Sequence, residues 1–206
     1  VTAGLGLMAA GIPWWTYDAG GFFRPSNQYS DSLYHERFMR WMQTSVFLPL
    51  MRVHGYMSNT EFWNYGQKVS DNARQCLDMR YRLMPYIYSY AAAVSMDGTS
   101  IMRPFIMDFA DDELALKQKD EYMFGKSLLV APVFEQGISQ MSVYLPKDTK
   151  WYDFATNKMY EGGETYQMSI VKERIPVYAK GGSIIPLGPS VQSTSEDRNA
   201  PWEIRV

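Results

Sequence analysis

The hydrophobic pattern changes texture near the middle of the chain. Leu5 to Ala10 reads as the end of a helix, and Gly11 as its stop. Ile12–Tyr17 is dense in β-branched and aromatic residues, which predicts a buried strand. Ser30 or Asp31 can cap a helix to about Phe47, with Tyr34, Phe38, Trp41 and Met42 on one face. Pro49 opens a second apolar run, Leu50 to Val53, which ends at His54-Gly55. Strand, helix, strand in this order predicts a βαβ unit and a parallel sheet. Tyr56 to Gly66 is a loop rich in aromatics and amides. Ser70 is the expected cap of a long helix whose apolar face holds Leu77, Tyr81, Met84, Ile87, Tyr88 and Ala91. Pro85 must kink or interrupt that helix, because it lacks the donor a helix needs, and Asp97-Gly98 ends it.

After about Met107 the runs become short and β-rich. They are Ser127–Phe134, Gln140–Leu145, Lys150–Asp153, Tyr166–Ile170, Ile175–Ala179 and Ser183–Pro186, separated by turn residues such as Glu135-Gln136-Gly137 and Lys180-Gly181-Gly182. Short strands at close, regular spacing predict an antiparallel sandwich. A boundary between the two textures is expected near residues 105–120. Ser190 to Ala200 is polar and linker-like, and Pro201 to Val206 reads as the first strand of a further element.

Composition narrows the field. A net charge of −2 argues against nucleic acid and anionic membrane as partners. No apolar run reaches membrane-spanning length. The single cysteine, Cys76, excludes an internal disulfide and sits in a helical pattern, as an inert buried thiol would. There is no Gly-rich phosphate loop, no Cys/His metal spacing and no Ser nucleophile elbow, so no metal or organic cofactor is implied. Oligomerisation is left open.

Two places could carry chemistry. Asp18 ends the first strand and is followed by Gly20-Gly21, which let the backbone turn. An acid at the C-terminal end of a buried strand is how a (β/α) barrel presents its site; an Asp capping its own turn explains the residue as well. Arg52 and His54 are two apart on the second strand, so their side chains share a face and can converge with Asp18. His35 reads as a surface or packing residue. Glu36 and Arg40 form an i,i+4 pair that needs no functional reading. Asp111-Asp112-Glu113 is most simply a solvated acidic turn or helix start. Trp151 and Tyr152 could stack on sugar rings but are more simply core or turn residues.

The whole segment Gly11-Ile12-Pro13-Trp14-Trp15-Thr16-Tyr17-Asp18-Ala19-Gly20-Gly21-Phe22 resembles the block that follows the acid/base residue in glycoside hydrolase family 31, a family of retaining α-glucosidases and α-xylosidases. Met51-Arg52-Val53-His54-Gly55 resembles that family's Arg-x-His-Gly motif. Phe22-Phe23-Arg24-Pro25, with Gln28-Tyr29 behind it, is most similar to the bacterial α-xylosidase branch. The resemblance implies the last elements of a (β/α)8 TIM barrel over residues 1–110 and an antiparallel β-sandwich over 111–192. Residues 193–206 would be a linker and the start of a truncated distal β domain. It implies that His54 hydrogen-bonds a sugar hydroxyl, that Arg52 orients acidic neighbours, that Asp18 is an acid beside the catalytic pair, and that Phe22 and Trp15 wall the same pocket.

A retaining glycosidase needs two carboxylates close together. In the family both precede the Gly-Ile-Pro-Trp block, so they are expected upstream of Val1. The expectation is therefore part of an α-xylosidase, inactive alone, whose partners are an oligosaccharide substrate and the preceding part of its own chain. An α-glucosidase or transglycosylase of the same family is the nearest alternative, and a non-catalytic carbohydrate-binding protein is the alternative of another class. The compartment is not legible; a periplasmic or secreted bacterial setting is compatible with the resemblance.

Overall fold

The computed structural model describes residues 1–196 and 200–206. Asp31 sets the start of the first long helix. Its carboxylate accepts the Leu33 N–H at 2.9 Å, and the helix runs Ser32–Ser45 (α2) behind a short Thr2–Ala9 helix (α1). Tyr34, Phe38 and Met42 face the core, as their spacing predicts. The next helix, Gln67–Arg82 (α3), begins at Gly66 and not at Ser70. Gly66 has φ +84°, so the chain turns into the helix where only glycine is at ease, and Ser70 lies inside the first turns. Leu83 separates α3 from Met84–Asp97 (α4), and Pro85 falls in the first turn of α4, where its missing N–H is not needed. Gly98, in the left-handed region, stops α4.

The two expected strands of the βαβ unit are extended segments that lie side by side in parallel. Leu50 donates to the Trp15 carbonyl at 3.3 Å, Ala19 to Arg52 at 3.2 Å and Tyr56 to Phe22 at 2.7 Å. Only Ala19 and Val53 reach ladder geometry, as an isolated parallel bridge. Ile12–Tyr17 is thus not the buried strand its composition predicts: Ile12 and Trp14 are exposed. A parallel strand needs neighbours and cover on both faces, and among the described residues Ile12–Tyr17 has a partner on one side alone.

After Gly98 the chain builds an antiparallel sheet of six strands. In chain order these are β1 (Met102–Pro104), β2 (Tyr122–Phe124), β3 (Leu128–Val130), β5 (Lys150–Asp153), β6 (Met159–Glu161) and β8 (Val177–Lys180). Their order across the sheet is β1-β2-β3-β8-β5-β6. The ribbon β4 (Gln140–Leu145) with β7 (Glu164–Ser169) forms a second layer, in register from Gln140↔Ser169 to Leu145↔Glu164. One face of the large sheet presents Tyr122, Phe124, Leu128 and Val130 to Phe47, Leu83 and Tyr86 of the helical half. The other face presents Met123, Leu129, Trp151 and Tyr178 to Val143, Leu145 and Met168 of the ribbon. Alternation along β2 and β3 therefore feeds two cores. Trp151 is fully buried in the second core and donates its indole N–H to the Pro146 carbonyl at 2.8 Å. β1 lies ahead of residue 111 and already pairs into this sheet. The run Pro201–Val206 contains β10 (Glu203–Arg205), which pairs with β9 (Ile185–Leu187).

The acidic turn 111–113 is not simply solvated. Asp112 is buried, and its carboxylate accepts the N–H groups of Leu114, Ala115 and Lys147 and the Tyr144 hydroxyl, at 2.8 to 3.1 Å. Burial alone would raise its pKa; the bonds from Lys147, Ala115 and Tyr144 outweigh this and hold it below the ordinary value.

The two halves are tied by buried polar side chains. Gln43 donates to the Lys172 carbonyl at 2.8 Å and Asn72 to that of Glu173 at 2.7 Å. Arg40 donates to the Val171 carbonyl at 3.1 Å, and the Glu36 carboxylate lies 3.2 Å from Lys172. Glu36 and Arg40, the expected i,i+4 pair at 3.7 Å, are thus buried members of this seam. Cys76 lies beside the seam, its thiol pushed up to about 12 by burial, as an inert thiol should be.

Candidate functional site

The parallel segments carry Asp18, Arg52 and His54 to one rim. Val53 packs on the core, so the residues flanking it point outward, and both are exposed. Arg52 Nε donates to Asp18 Oδ1 at 2.6 Å. Gly20 and Gly21, with φ +86° and +89°, then turn the chain so that Phe22 comes back over the same rim. A side chain at Gly20 would meet the Phe38 ring at 2.6 Å, so close packing as well as φ requires glycine there. The Phe22 ring lies 5.5 Å from the His54 ring, tilted by 39°, and 5.8 Å from that of Tyr56.

Four of the five expected site residues therefore meet: Asp18, Arg52, His54 and Phe22. Trp15 does not. Its ring packs on Gly4 of α1, where an added Cβ would lie 2.5 Å away, and edge-on to Tyr17 at 5.7 Å. The alternation of the extended segment and its start far from the turn send Trp15 to the helical core.

Residues that sequence reasoning passed over hold the rim in place. Arg24 bonds to both loops. The Tyr34 hydroxyl donates to the Gly20 carbonyl at 2.7 Å. Arg80 donates to the carbonyls of Val46, Leu48 and Pro49 at 2.6 to 2.9 Å, which fixes the turn that launches Leu50–His54. Burial pushes the Arg80 pKa down to about 10, so the guanidinium stays charged at neutral pH. His35, expected to be a surface or packing residue, sits edge-on to the Tyr65 ring at 5.9 Å.

The rim offers a carboxylate, a guanidinium, an imidazole and an aromatic face within one small area. Such a set can bond a polyhydroxylated ligand in several directions while a ring stacks on its apolar face. Among the described residues, no three His, Cys, Asp or Glu side chains come together to hold a metal ion, and no helix is long and apolar enough to cross a membrane.

Residues 1–90 match the family model described as the glycosyl hydrolases family 31 TIM-barrel domain, and residues 98–185 match the glycosyl hydrolase family 31 C-terminal domain. The chain belongs to glycoside hydrolase family 31. Among family 31 relatives, it is 39% identical over 197 residues to an alpha-xylosidase of Saccharolobus solfataricus, covering 95% of this chain and 27% of that protein. The crystal structure of the GH31 alpha-xylosidase from Xanthomonas citri superposes with a TM-score of 0.92 at 34% identity, over 98% of this chain and 23% of the other. A Flavobacterium johnsoniae GH31 dextranase, solved in complex with isomaltotriose, superposes with a TM-score of 0.90 at 34% identity, over 98% of this chain and 25% of the other. The chain thus spans about a quarter of the length of these relatives. The family 31 models agree with the expected architecture, the end of a TIM barrel followed by a β-sandwich.

Proposed function

We propose that this chain is the closing part of the catalytic barrel, with the adjoining sandwich, of a retaining α-glycosidase that removes terminal α-linked xylose from oligosaccharides. The observation that carries the reading is the Asp18–Arg52 ion pair beside the His54–Phe22 contact, at the ends of two parallel segments in the part that matches the family 31 barrel. Strand ends at that face are where barrel enzymes place their chemistry. His54 hydrogen-bonds a hydroxyl of the terminal sugar, Phe22 walls the pocket, and Arg52 and Asp18 hold each other in the orientation the sugar meets. The nucleophile and the acid/base carboxylate come from residues of the parent protein outside this chain. They carry the oxocarbenium-like step, while the rim fixes the ring they act on. We place the division between barrel and sandwich at Gly98, where α4 stops and β1 follows, and not at residue 110.

The family 31 dextranase similarity keeps a glucose-specific enzyme as the second reading. Hydrolysis of aryl α-xyloside and aryl α-glucoside by the complete protein tests both. A higher kcat/KM on the xyloside supports the first, a higher value on the glucoside supports the second, and turnover of neither removes the glycosidase reading. The isolated 206-residue chain should turn over neither.

A further inference from the structure

The guanidinium of Arg24 sits between the two loops that carry the rim. Nε donates to the Gly21 carbonyl at 3.0 Å, and Nη2 donates to the Ala19 carbonyl at 2.9 Å and to the His54 carbonyl at 3.1 Å. Nη1 donates to the Tyr65 hydroxyl at 2.5 Å, which donates onward to Gln28 Oε1 at 2.7 Å. One planar group thus binds the backbone just after Asp18 and the backbone of His54 itself. Its own position is fixed in turn, because it lies 5.5 Å from the Phe38 ring centre and 5.9 Å from that of Tyr65. Gly55 leaves room for it: a Cβ at that position would stand 2.8 Å from Arg24 Nε.

We infer that Arg24 is a positioning residue for sugar binding, which fixes the separation of the Asp18 and His54 loops and with it the geometry of the rim. The inference rests on the sugar-binding role proposed above. Arg24 touches no substrate in this account; it acts through the carbonyls of residues 19, 21 and 54. Near the turn the pairing of the parallel segments themselves is sparse: one bridge at Ala19 and Val53, the Tyr56 N–H on the Phe22 carbonyl and the Asp18–Arg52 pair. Arg24 adds three bonds to carbonyls on both loops. Lysine cannot replace the arginine. A single ammonium is a point donor on a flexible stem and cannot hold the Gly21 carbonyl and the Tyr65 hydroxyl together with the carbonyls of Ala19 and His54, as the planar fork does at once. Displacements of about 1 Å in a binding site can cost on the order of 100-fold in rate.

The test uses the complete protein and the better of the two aryl α-glycosides, with Arg24→Lys, Arg24→Ala and Tyr65→Phe. The expected result for Arg24→Lys is a kcat/KM lower by about 10- to 100-fold, with both KM and kcat affected, per folded molecule. Tyr65→Phe keeps the guanidinium but loosens its anchor, so its loss should be smaller. For Arg24→Ala, millimolar guanidinium ion should restore part of kcat/KM by entering the space that the side chain vacates beside the stacked Phe38 and Tyr65 rings, and methylammonium should not. A merely structural role would lower the folded fraction without this rescue and without changing KM or kcat of the folded molecules; that result overturns the inference. So does wild-type kinetics in Arg24→Lys. If Arg24→Ala does not fold, Arg24→Lys and Tyr65→Phe decide by the same criteria. A wild-type protein inactive on both glycosides overturns the functional reading and this inference together; an active wild type with indifferent Arg24 variants overturns the inference alone.

Discussion

Arg52 and Asp18 lie 34 residues apart in the chain, yet Arg52 Nε stands 2.6 Å from Asp18 Oδ1. The contact joins the ends of two parallel segments that share a single bridge. The Arg52 side chain is 54% exposed and that of Asp18 18%, so water screens the pair on one side. An exposed ion pair of this kind contributes about 0–1 kcal/mol to stability. Its consequence lies in orientation: the acid cannot swing away from the rim while the guanidinium holds it.

Arg52→Ala in the complete protein should therefore leave the melting temperature within a few degrees of wild type. It should lower kcat/KM on the preferred aryl α-glycoside by about 10-fold, since 1.36 kcal/mol of lost transition-state interaction is a factor of ten. Thermal unfolding and steady-state kinetics on one preparation check both halves. A large loss of stability with normal kinetics would mean that the pair is scaffolding.

Asp112 makes the opposite forecast. Its buried carboxylate accepts four partners from two separate stretches, 114–115 and 144–147, and the Tyr144 hydroxyl and Lys147 N–H would be orphaned by its loss. Asp112→Ala should destabilise the sandwich by about 3 kcal/mol or more, as loss of a buried charged acceptor does. Its folded-state pKa is lowered, so its contribution is present above the ordinary Asp range and fades as pH falls through the lowered value. Urea unfolding of wild type and variant at pH 7 and at low pH checks this: the gap should narrow in acid.

Glu121 titrates in the other direction. It is buried, its Oε1 accepts the Tyr144 N–H at 3.1 Å, and its Oε2 has no hydrogen-bond partner among the described residues. Burial pushes its pKa up to about 8. The folded protein then keeps a proton that the unfolded chain has released by about pH 5, so stability falls as pH rises between those values. Glu121→Gln removes that proton linkage. The variant should gain in melting temperature relative to wild type from pH 5 to pH 9, by several degrees at about 2–4 °C per kcal/mol. A constant difference across that range would place Glu121 in contact with water.

How far the sequence revealed these features depends on whether their causes are local. Asp31 as a cap, Pro85 as a break and Gly98 as a stop act through their own neighbours, and all were legible. β4 and β5 were legible to the residue, because Gln140–Leu145 and Lys150–Asp153 are bounded by turn residues on both sides. β1, β2 and β6 were not. Each has three residues; Tyr122–Phe124 is buried on both faces and so shows no polar–apolar alternation, and β1 ends in Pro104. Asp112 reads as a solvated acid because its partners at 144 and 147 are remote in sequence. At the rim, Asp18, Arg52, His54 and Phe22 sit in short motifs that announce them. Arg24 also sits in such a motif, but nothing local says that its guanidinium reaches residues 54 and 65. Trp15 shares the motif too, and only packing against Gly4 separates it from the pocket.

The central claim, that this rim holds the terminal sugar, is tested most directly by His54→Ala in the complete protein, with kcat/KM and melting temperature measured on the same preparation. His54 is exposed and its ring lies tilted beside that of Phe22, so its removal should leave the fold intact. A hydrogen bond to a sugar hydroxyl contributes about 0.5–1.5 kcal/mol, and more where it tightens as the ring flattens in the transition state. The account predicts a kcat/KM lower by about 10-fold or more, with kcat reduced as well as KM raised, and a melting temperature close to wild type. An unchanged kcat/KM per folded molecule would contradict it and take Arg52 and Asp18 out of the site with His54.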